Sequence, residues 1–316
     1  MKINIPNSAF LGNIDPFLRS FDNSAPGTLH ITSNRKWISI HPLVLSMIAA
    51  LSLNATNITY DKFEAASKHY LERMNLFRFL GIKSTGMRAH EPAGRFIPLM
   101  QIKNSDQLTA FLTDMVPLLH LEPKHAEPLR YVVSELVRNV LEHAQSPHGA
   151  IICAQYYKKS NSIRIGIADT GVGIRATISR AHPVNTDLEA LRLALTPGIT
   201  GTTPQEGGTE LNAGAGLFFV KSIARVNRDF FFIYSGTASY KLLKSKTKYI
   251  MLHGDPLKDR NSYEENFPYW EGTLVGIDIS LDATQEFSSL LDLIRKTYIQ
   301  AMRDRKKQRR RRPKFV

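Results

Sequence analysis

Three short segments carry residue types that could do chemistry together. In Glu135-Leu-Val-Arg-Asn139 a carboxylate and a carboxamide lie four residues apart, one helical turn on one face. Asn139 offers a neutral oxygen to a hard cation such as Mg²⁺, which keeps several waters and binds substrate phosphates. Glu135 can orient or deprotonate an attacking group. In Asp169-Thr-Gly-Val-Gly-Ile174 an acidic residue directly follows the apolar run Ile163-Arg-Ile-Gly-Ile-Ala168. An Asp at a strand end accepts hydrogen bonds, which suits the exocyclic amine of a base, and Gly171 and Gly173 let the backbone turn and come close to a flat ring. In Asn212-Ala-Gly-Ala-Gly-Leu217, Gly214 and Gly216 open an apolar helix. Glycines there let phosphate oxygens reach free backbone N–H groups at the positive helix end. Each segment alone also fits a bland account: a solvated helix face, a strand followed by a turn, a flexible loop. No Gly-Lys-Ser/Thr follows the last segment, so it is not a P-loop. The order strand, G-x-G-x-x-G, helix is also missing, which excludes a dinucleotide fingerprint.

The elements that must position these segments are legible in the apolar periodicity. Short strands are expected at 28–31 and 37–40, and Pro42 opens a helix with Leu43, Ser46, Met47, Ala50 and Leu51 on one face. A second helix is expected from about Tyr60 until Gly81, and residues 85–92 form a turn-rich joint. A strand near 95–99 leads into helices over 106–119 and 122–144, strands over 150–157 and 162–168, and a helix over 186–195. After the Gly/Thr-rich stretch 197–216 come a helix over 217–226, strands at 230–234 and 273–279, and a last helix over 284–302. This order predicts an α/β class, a two-layer α/β sandwich built as a mixed sheet with helices on one face.

Together the segments resemble the boxes of the Bergerat-type, or GHKL, ATPase family, which includes sensor histidine kinases, anti-sigma-factor kinases, gyrase and the ninety-kilodalton heat-shock chaperones. Glu135 and Asn139 match the Glu-x-x-x-Asn box, Asp169 to Ile174 the adenine box, and Gly214-Ala-Gly-Leu217 the box at the end of the lid. Gly272-Thr273 matches the last box, whose Thr often contacts the adenine region. The resemblance covers residues 95–281 and implies ATP and Mg²⁺ as ligands. Asp169 would receive the adenine amine, with Gly171, Gly173, Ile174 and Thr273 beside it. Asn139 would hold the metal, and Asn212, Gly214, Gly216 and Leu217 would meet the phosphates under a lid of residues 197–216. Glu135 would be the general base. For Lys221, on the helix after the lid, a solvated face is expected in preference to a phosphate contact.

Only about forty residues follow Gly272, so the gyrase and chaperone branches, with their large transducer domain, are not the expected ones. His125 and His143 fall on the Glu135 helix itself, so neither is presented on a separate hairpin as a histidine kinase requires; both are expected at the surface or the helix end. The regulatory-switch branch remains, some of whose members phosphorylate a Ser or Thr on a small partner of the sulfate-transporter and anti-sigma-antagonist (STAS) class. Residues 1–92 weakly resemble such a STAS-like α/β domain, with Ser39 and Ser46 the nearby hydroxyls and a structural role expected for both. The expected organisation is thus 1–92, an ATP-binding domain over 93–283, a helix over 284–302 and a basic disordered tail over 303–316. The expected function is that of an ATPase or serine/threonine kinase acting as a switch. The alternatives are a non-catalytic ATP sensor, a histidine-kinase-like protein and a nucleic-acid-associated ATPase.

Composition sets the frame for this reading. The 316 residues are 43% hydrophobic, normal for a globular chain with real cores. The formal net charge is +13, but residues 303–314 hold nine Lys or Arg and one Asp, a net of +8, which leaves +5 for the rest. The basic stretch is open to three partners: nucleic acid, an anionic membrane or an acidic protein. The single Cys153 lies in an apolar run and reads as a small core residue. No apolar run is as long as a membrane span, and Asn7, Asn13 and Asp15 interrupt any secretory pattern, so a soluble cytoplasmic protein is expected.

Overall fold

The computed structural model describes residues 1–34, 37–63, 65–83, 96–119, 123–204, 214–245, 250–282 and 287–311. The expected joint at 85–92, the boundary at 92/93 and Asn212 lie outside the described residues. The amino-terminal part runs β1 (Lys2–Ile5), β2 (Ser8–Ala9), α1 (Asp15–Arg19), β3 (Thr28–Ser33), β4 (Ser39–Ile40), α2 (Pro42–Asn54), β5 (Asn57–Tyr60), α3 (Ala65–Arg73) and α4 (Leu76–Phe79). Strands β1, β3 and β5 form a three-stranded parallel sheet in that order. The rest runs β6 (Phe96–Ile102), α5 (Ser105–Leu118), α6 (Pro123–Asn139), β7 (Ala150–Tyr157), β8 (Ser162–Ala168), α7 (Gly173–Ile178), α8 (Asp187–Ala194), α9 (Gly216–Val226), β9 (Phe231–Gly236), β10 (Ala238–Leu242), β11 (Asn261–Glu264), β12 (Trp270–Ser280) and α10 (Phe287–Arg311).

The protein is α/β, but the main sheet differs from the expected mixed sheet with helices on one face. Its seven strands, in the order β11-β10-β9-β12-β8-β7-β6, pair antiparallel throughout. Short connections enforce this locally: four residues join β7 to β8, and β9 returns to β10 through Thr237 alone. Both faces are covered. On one, Leu129, Val133 and Val137 of α6, Phe218 and Ile223 of α9, and Leu290 and Ile294 of α10 pack with Ile165, Ile233 and Ile277 of the sheet. On the other lies α2, whose residues from Pro42 to Ser52 are all buried. A helix that is apolar all round must be covered on every side. The large sheet covers one side of α2. Ile3, Ile5, Leu29 and Ile31 of the small sheet share its core on the other.

α2 can approach the sheet because three neighbouring strands present small residues in register. Gly166 of β8 pairs with Cys153 of β7 and Gly276 of β12. A Cβ on Gly166 would stand 2.2 Å from the Leu43 nitrogen, and one on Gly276 would stand 2.7 Å from Leu11 and 3.0 Å from Leu43. Ser46 donates to the Gly166 carbonyl at 2.9 Å, and the Cys153 thiol to the Pro42 carbonyl at 3.3 Å. At the mouth of the trough His41 caps α2, its Nδ1 accepting from the Leu43 N–H at 3.0 Å, which leaves Nε2 to donate to Asp278 at 3.2 Å. Ser46 and Cys153 are therefore core residues, as expected, and burial pushes the Cys153 thiol up to about 12. Ser39 is half-buried on β4.

Two expectations about the chain's last third are also corrected. The basic stretch from Arg303 is helical through Arg311, not a disordered tail. It continues a helix already anchored by Leu290, Ile294 and Met302, so no new nucleus is required. Arg, Lys and Gln are good helix formers, and cations suit the negative carboxyl end of a helix. Lys221 is fully buried against Asp259 rather than on a solvated face, because residues 250–264 fold back over α9 and carry that carboxylate with them. No helix among the described residues is long and apolar enough to cross a membrane.

The trough makes a direct prediction. Gly166→Ala forces α2 off the sheet and lowers unfolding stability by about 2 kcal/mol or more. Urea unfolding of wild type and variant, compared at equal m-value, measures it.

Candidate functional site

Every described residue to which the resemblance assigns a role, except Gly171, lines one cleft of about 300 Å³ between α6, α7, the β8 and β12 strand ends and the amino end of α9. α6 ends in a wide turn over Val140–Ala144, and Gln145 in the left-handed region stops it. On its cleft face Glu135 and Asn139 are half-buried one turn apart. Burial raises the Glu135 carboxyl above its ordinary range; Arg138 opposes the shift and Glu142 adds to it. The Asn139 side-chain nitrogen is buried without a hydrogen-bond partner.

Facing them, Gly214 and Gly216 bring the chain into α9. A Cβ on Gly216 would lie 2.4 Å from Glu135 Oε2 and 3.9 Å from the Asn139 amide, so any larger residue there would push the Glu135 carboxylate aside. Gly214 holds φ +63°, and its carbonyl accepts from Gly198 at 2.9 Å, which ties the two ends of the 197–216 stretch together. Thr200, Gly201 and Leu217 complete this end of the cleft.

At the other end Asp169 is 1% exposed. One carboxylate oxygen accepts from the Gly171 N–H at 2.8 Å; the other is buried with no partner. Desolvation raises its pKa to about 7, with the Gly171 and Thr273 backbone hydrogen bonds opposing the shift. The Asp169 N–H donates to the Thr273 carbonyl at 3.0 Å, which joins the ends of β8 and β12. Ile167, Ile178, Ile233 and Val275 add apolar walls to the cleft. Ile174 is fixed by its N–H, which donates to Ser235 Oγ at 2.9 Å, and Ser235 in turn donates to the Gly272 carbonyl at 2.6 Å.

The structure thus brings together Glu135, Asn139, Asp169, Gly173, Ile174, Gly214, Gly216, Leu217 and Thr273. Gly171 is a correction. Its absent Cβ points at the Ala144 carbonyl, 2.0 Å away, and the neighbouring Val172 N–H donates to that carbonyl at 2.8 Å. Gly171 lets the adenine-box loop lie against the end of the Glu135 helix; it is not a platform for a base. His143 stands at the helix end, as expected, and lines the cleft there at the wide turn. Tyr131, another lining residue, escaped the sequence reading, although Tyr131, Glu135 and Asn139 follow one another at four-residue spacing on one helical face. Lys221 faces Asp259 and not the cleft.

Among the described residues no three His, Cys, Asp or Glu side chains gather as a metal site. A cation at Asn139 would therefore need oxygens from a ligand. What the cleft offers is an unpaired buried acceptor at one end, a carboxylate and a carboxamide near a helix amino end at the other, and apolar walls. Comparison of the chain with protein-family models and with curated proteins finds no match.

An unpaired buried acid costs stability when ionised. Its raised pKa means that stability is full below about pH 4 and is lost as pH rises through about 7. Asp169→Asn removes that loss, so the ligand-free variant gains on the order of 1–3 kcal/mol over wild type at pH 8 and little at pH 4. Denaturant titrations of both proteins across this range report the difference.

Proposed function

We propose that this chain binds Mg-ATP in the cleft and acts on its terminal phosphate, as the resemblance to the GHKL ATPases implies. The observation that carries the reading is the pairing, within one cleft, of the orphaned Asp169 oxygen with the Glu135, Asn139 and Gly216 cluster. The orphaned acceptor fits an adenine amine, the one polar donor a flat base needs to offer a buried carboxylate. The glycine-lined entry to α9 fits phosphate oxygens, which backbone N–H groups and the helix dipole attract. The ligand supplies a transferable phosphoryl group, and Mg²⁺ neutralises its charge. Within the protein, Asp169 selects the base, Asn139 provides a metal ligand, and Glu135 takes the proton from the attacking hydroxyl or water. Its raised pKa brings that carboxylate closer to the operating pH, where proton abstraction is most efficient.

A switch of the anti-sigma kinase type, or an ATPase, fits this site better than a histidine kinase, because His125 and Glu135 share α6. Ser46 is not an internal acceptor, since its hydroxyl is fully buried against Gly166. The STAS-like reading of residues 1–92 belongs to this proposal; what supports it is the parallel sheet with α2 beside it.

Incubation with γ-labelled ATP separates the possibilities: free labelled phosphate marks an ATPase, label on a co-purified protein marks a kinase. ATP retained without either marks a sensor, and calorimetry with no ATP binding at all ends the proposal. Glu135→Ala is expected to retain ATP while turnover falls about 10²–10⁴-fold. Asn139→Ala is expected to lose the Mg²⁺-dependent part of ATP affinity, read by calorimetry with and without the metal. Asp169→Asn is expected to weaken ATP binding while raising ligand-free stability, an opposition that a purely structural aspartate does not give.

A further inference from the structure

Tyr131 lines the cleft, and the proposed reaction leaves it without a role. It stands on α6 four residues before Glu135 and eight before Asn139, so the three side chains follow one another along one face. The carboxyl end of this helix and its wide turn lie against the adenine-box loop, where the Val172 N–H donates to the Ala144 carbonyl at 2.8 Å, close to Asp169. From there toward the amino end the cleft passes Asn139, then Glu135, then Tyr131. At about 1.5 Å per residue Tyr131 stands about 6 Å beyond Glu135, on the side away from Asp169. Its ring is held there, packed on Phe219 with centroids 6.2 Å apart and on Phe287 at 5.9 Å. Phe219 belongs to the first turn of α9, the helix whose amino end meets Glu135. Among the described residues the Tyr131 hydroxyl has no hydrogen-bond partner. Burial, and then the nearby Glu135 carboxylate, push the phenol above its ordinary range against the opposing effect of Arg295, so it remains a protonated donor.

We propose that the Tyr131 phenol donates to the terminal phosphate of the bound nucleotide and so distinguishes a triphosphate from a diphosphate, an inference that rests on the Mg-ATP reading of the cleft. Glu135 has to stand beside that phosphate to activate the attacking group, yet two anions at close range repel. A neutral O–H donor fixed beside the carboxylate offsets the repulsion. A lysine or arginine in its place would also pull the Glu135 pKa down, whereas a phenol leaves it raised. Arg138, the guanidinium that lines the cleft, is engaged by Glu142 at 3.0 Å. Recognition of the base is not the task of Tyr131, because it lies at the far end of the row from Asp169.

The test is calorimetry on the full chain with Mg²⁺, comparing ADP with the non-hydrolysable triphosphate adenylyl imidodiphosphate. Wild type is expected to prefer the triphosphate. Tyr131→Phe is expected to cut that preference about tenfold, as loss of a hydrogen bond to a charged group does, with ADP affinity within about twofold of wild type. Phenylalanine keeps the ring between Phe219 and Phe287, so a tyrosine that only packs loses neither ligand, or both alike. No binding of either nucleotide to wild type ends the Mg-ATP reading and this inference with it. Equal affinity of wild type for the two, an unchanged preference in the variant, or an equal loss for both ligands overturns the inference alone and leaves the Mg-ATP reading standing.

Discussion

Where Gly166 meets Leu43, the backbone of a helix and the backbone of a sheet come closer than any side chain would allow, and the geometry of the molecule follows from that contact. Cys153, Gly166 and Gly276 make a shallow trough across three strands, α2 lies in it, and the small parallel sheet closes over the helix. Without the trough α2 would have to bury its apolar circumference elsewhere, and the back of the main sheet would be left to water. Two of these three strands, β8 and β12, are also those that bring Asp169 and Thr273 together. The amino-terminal part is thus a wall of the site's supporting sheet, further tied to it by the Lys241–Asp15 ion pair and by Arg164, whose guanidinium lies against the rings of both Phe10 and Tyr157.

On the front of the same strands the protein tolerates an arrangement that packing alone would reject. A carboxylate buried to 1% exposure has one oxygen satisfied by Gly171 and one by nothing. The scaffold holds it there by several independent contacts. Trp270 donates its indole N–H to the Asp169 carbonyl at 3.2 Å, Gly272 at φ +97° packs against that carbonyl and the side chain, and the Asp169 N–H is fixed on Thr273. Backbone anchoring of this kind fixes the orientation of the free oxygen without quenching it, which is what recognition of a donor requires.

The front layer of the fold was legible in the sequence because period and turn chemistry agreed there. Strands β7 and β8 fall on the residues that alternation and bounding turns indicated, and Glu135 and Asn139 share a face as four-residue spacing demands. The back layer was not. Gly166, Gly276 and Cys153 carry no local signal, since what makes them a trough is strand register, and register is set by the whole sheet. Likewise β1 and β5 went unread: Lys2–Ile5 and Asn57–Tyr60 are each four residues long, too short for a periodicity to stand out. Gly171 was misjudged for a related reason. A glycine next to a binding residue suggests close approach, but the sequence does not say to what, and here the partner is the end of α6. The helical basic segment was missed because charge density was weighed without the anchored helix that precedes it.

One further asymmetry bears on how such a cleft can work. The amino end of α9 faces Glu135 and Asn139, and the remainder of this helix is held from two sides. Lys221 and Arg225 reach Asp259 on one side, and Phe218 and Phe219 meet Tyr298 of α10 on the other. Lys221 is buried, and removing Asp259 would leave its ammonium without water or counter-charge, so the contact resists partial opening. The amino end of α9 is therefore preorganised, and its amides do not have to be ordered when a ligand arrives. Its entry differs. The ends of the 197–216 stretch are joined by a backbone bond from Gly198 to the Gly214 carbonyl, and Pro197 is tied to Arg305. Asp169 at one end of the cleft and α9 at the other are thus both held from within the body, so a ligand that bridges them meets two fixed ends.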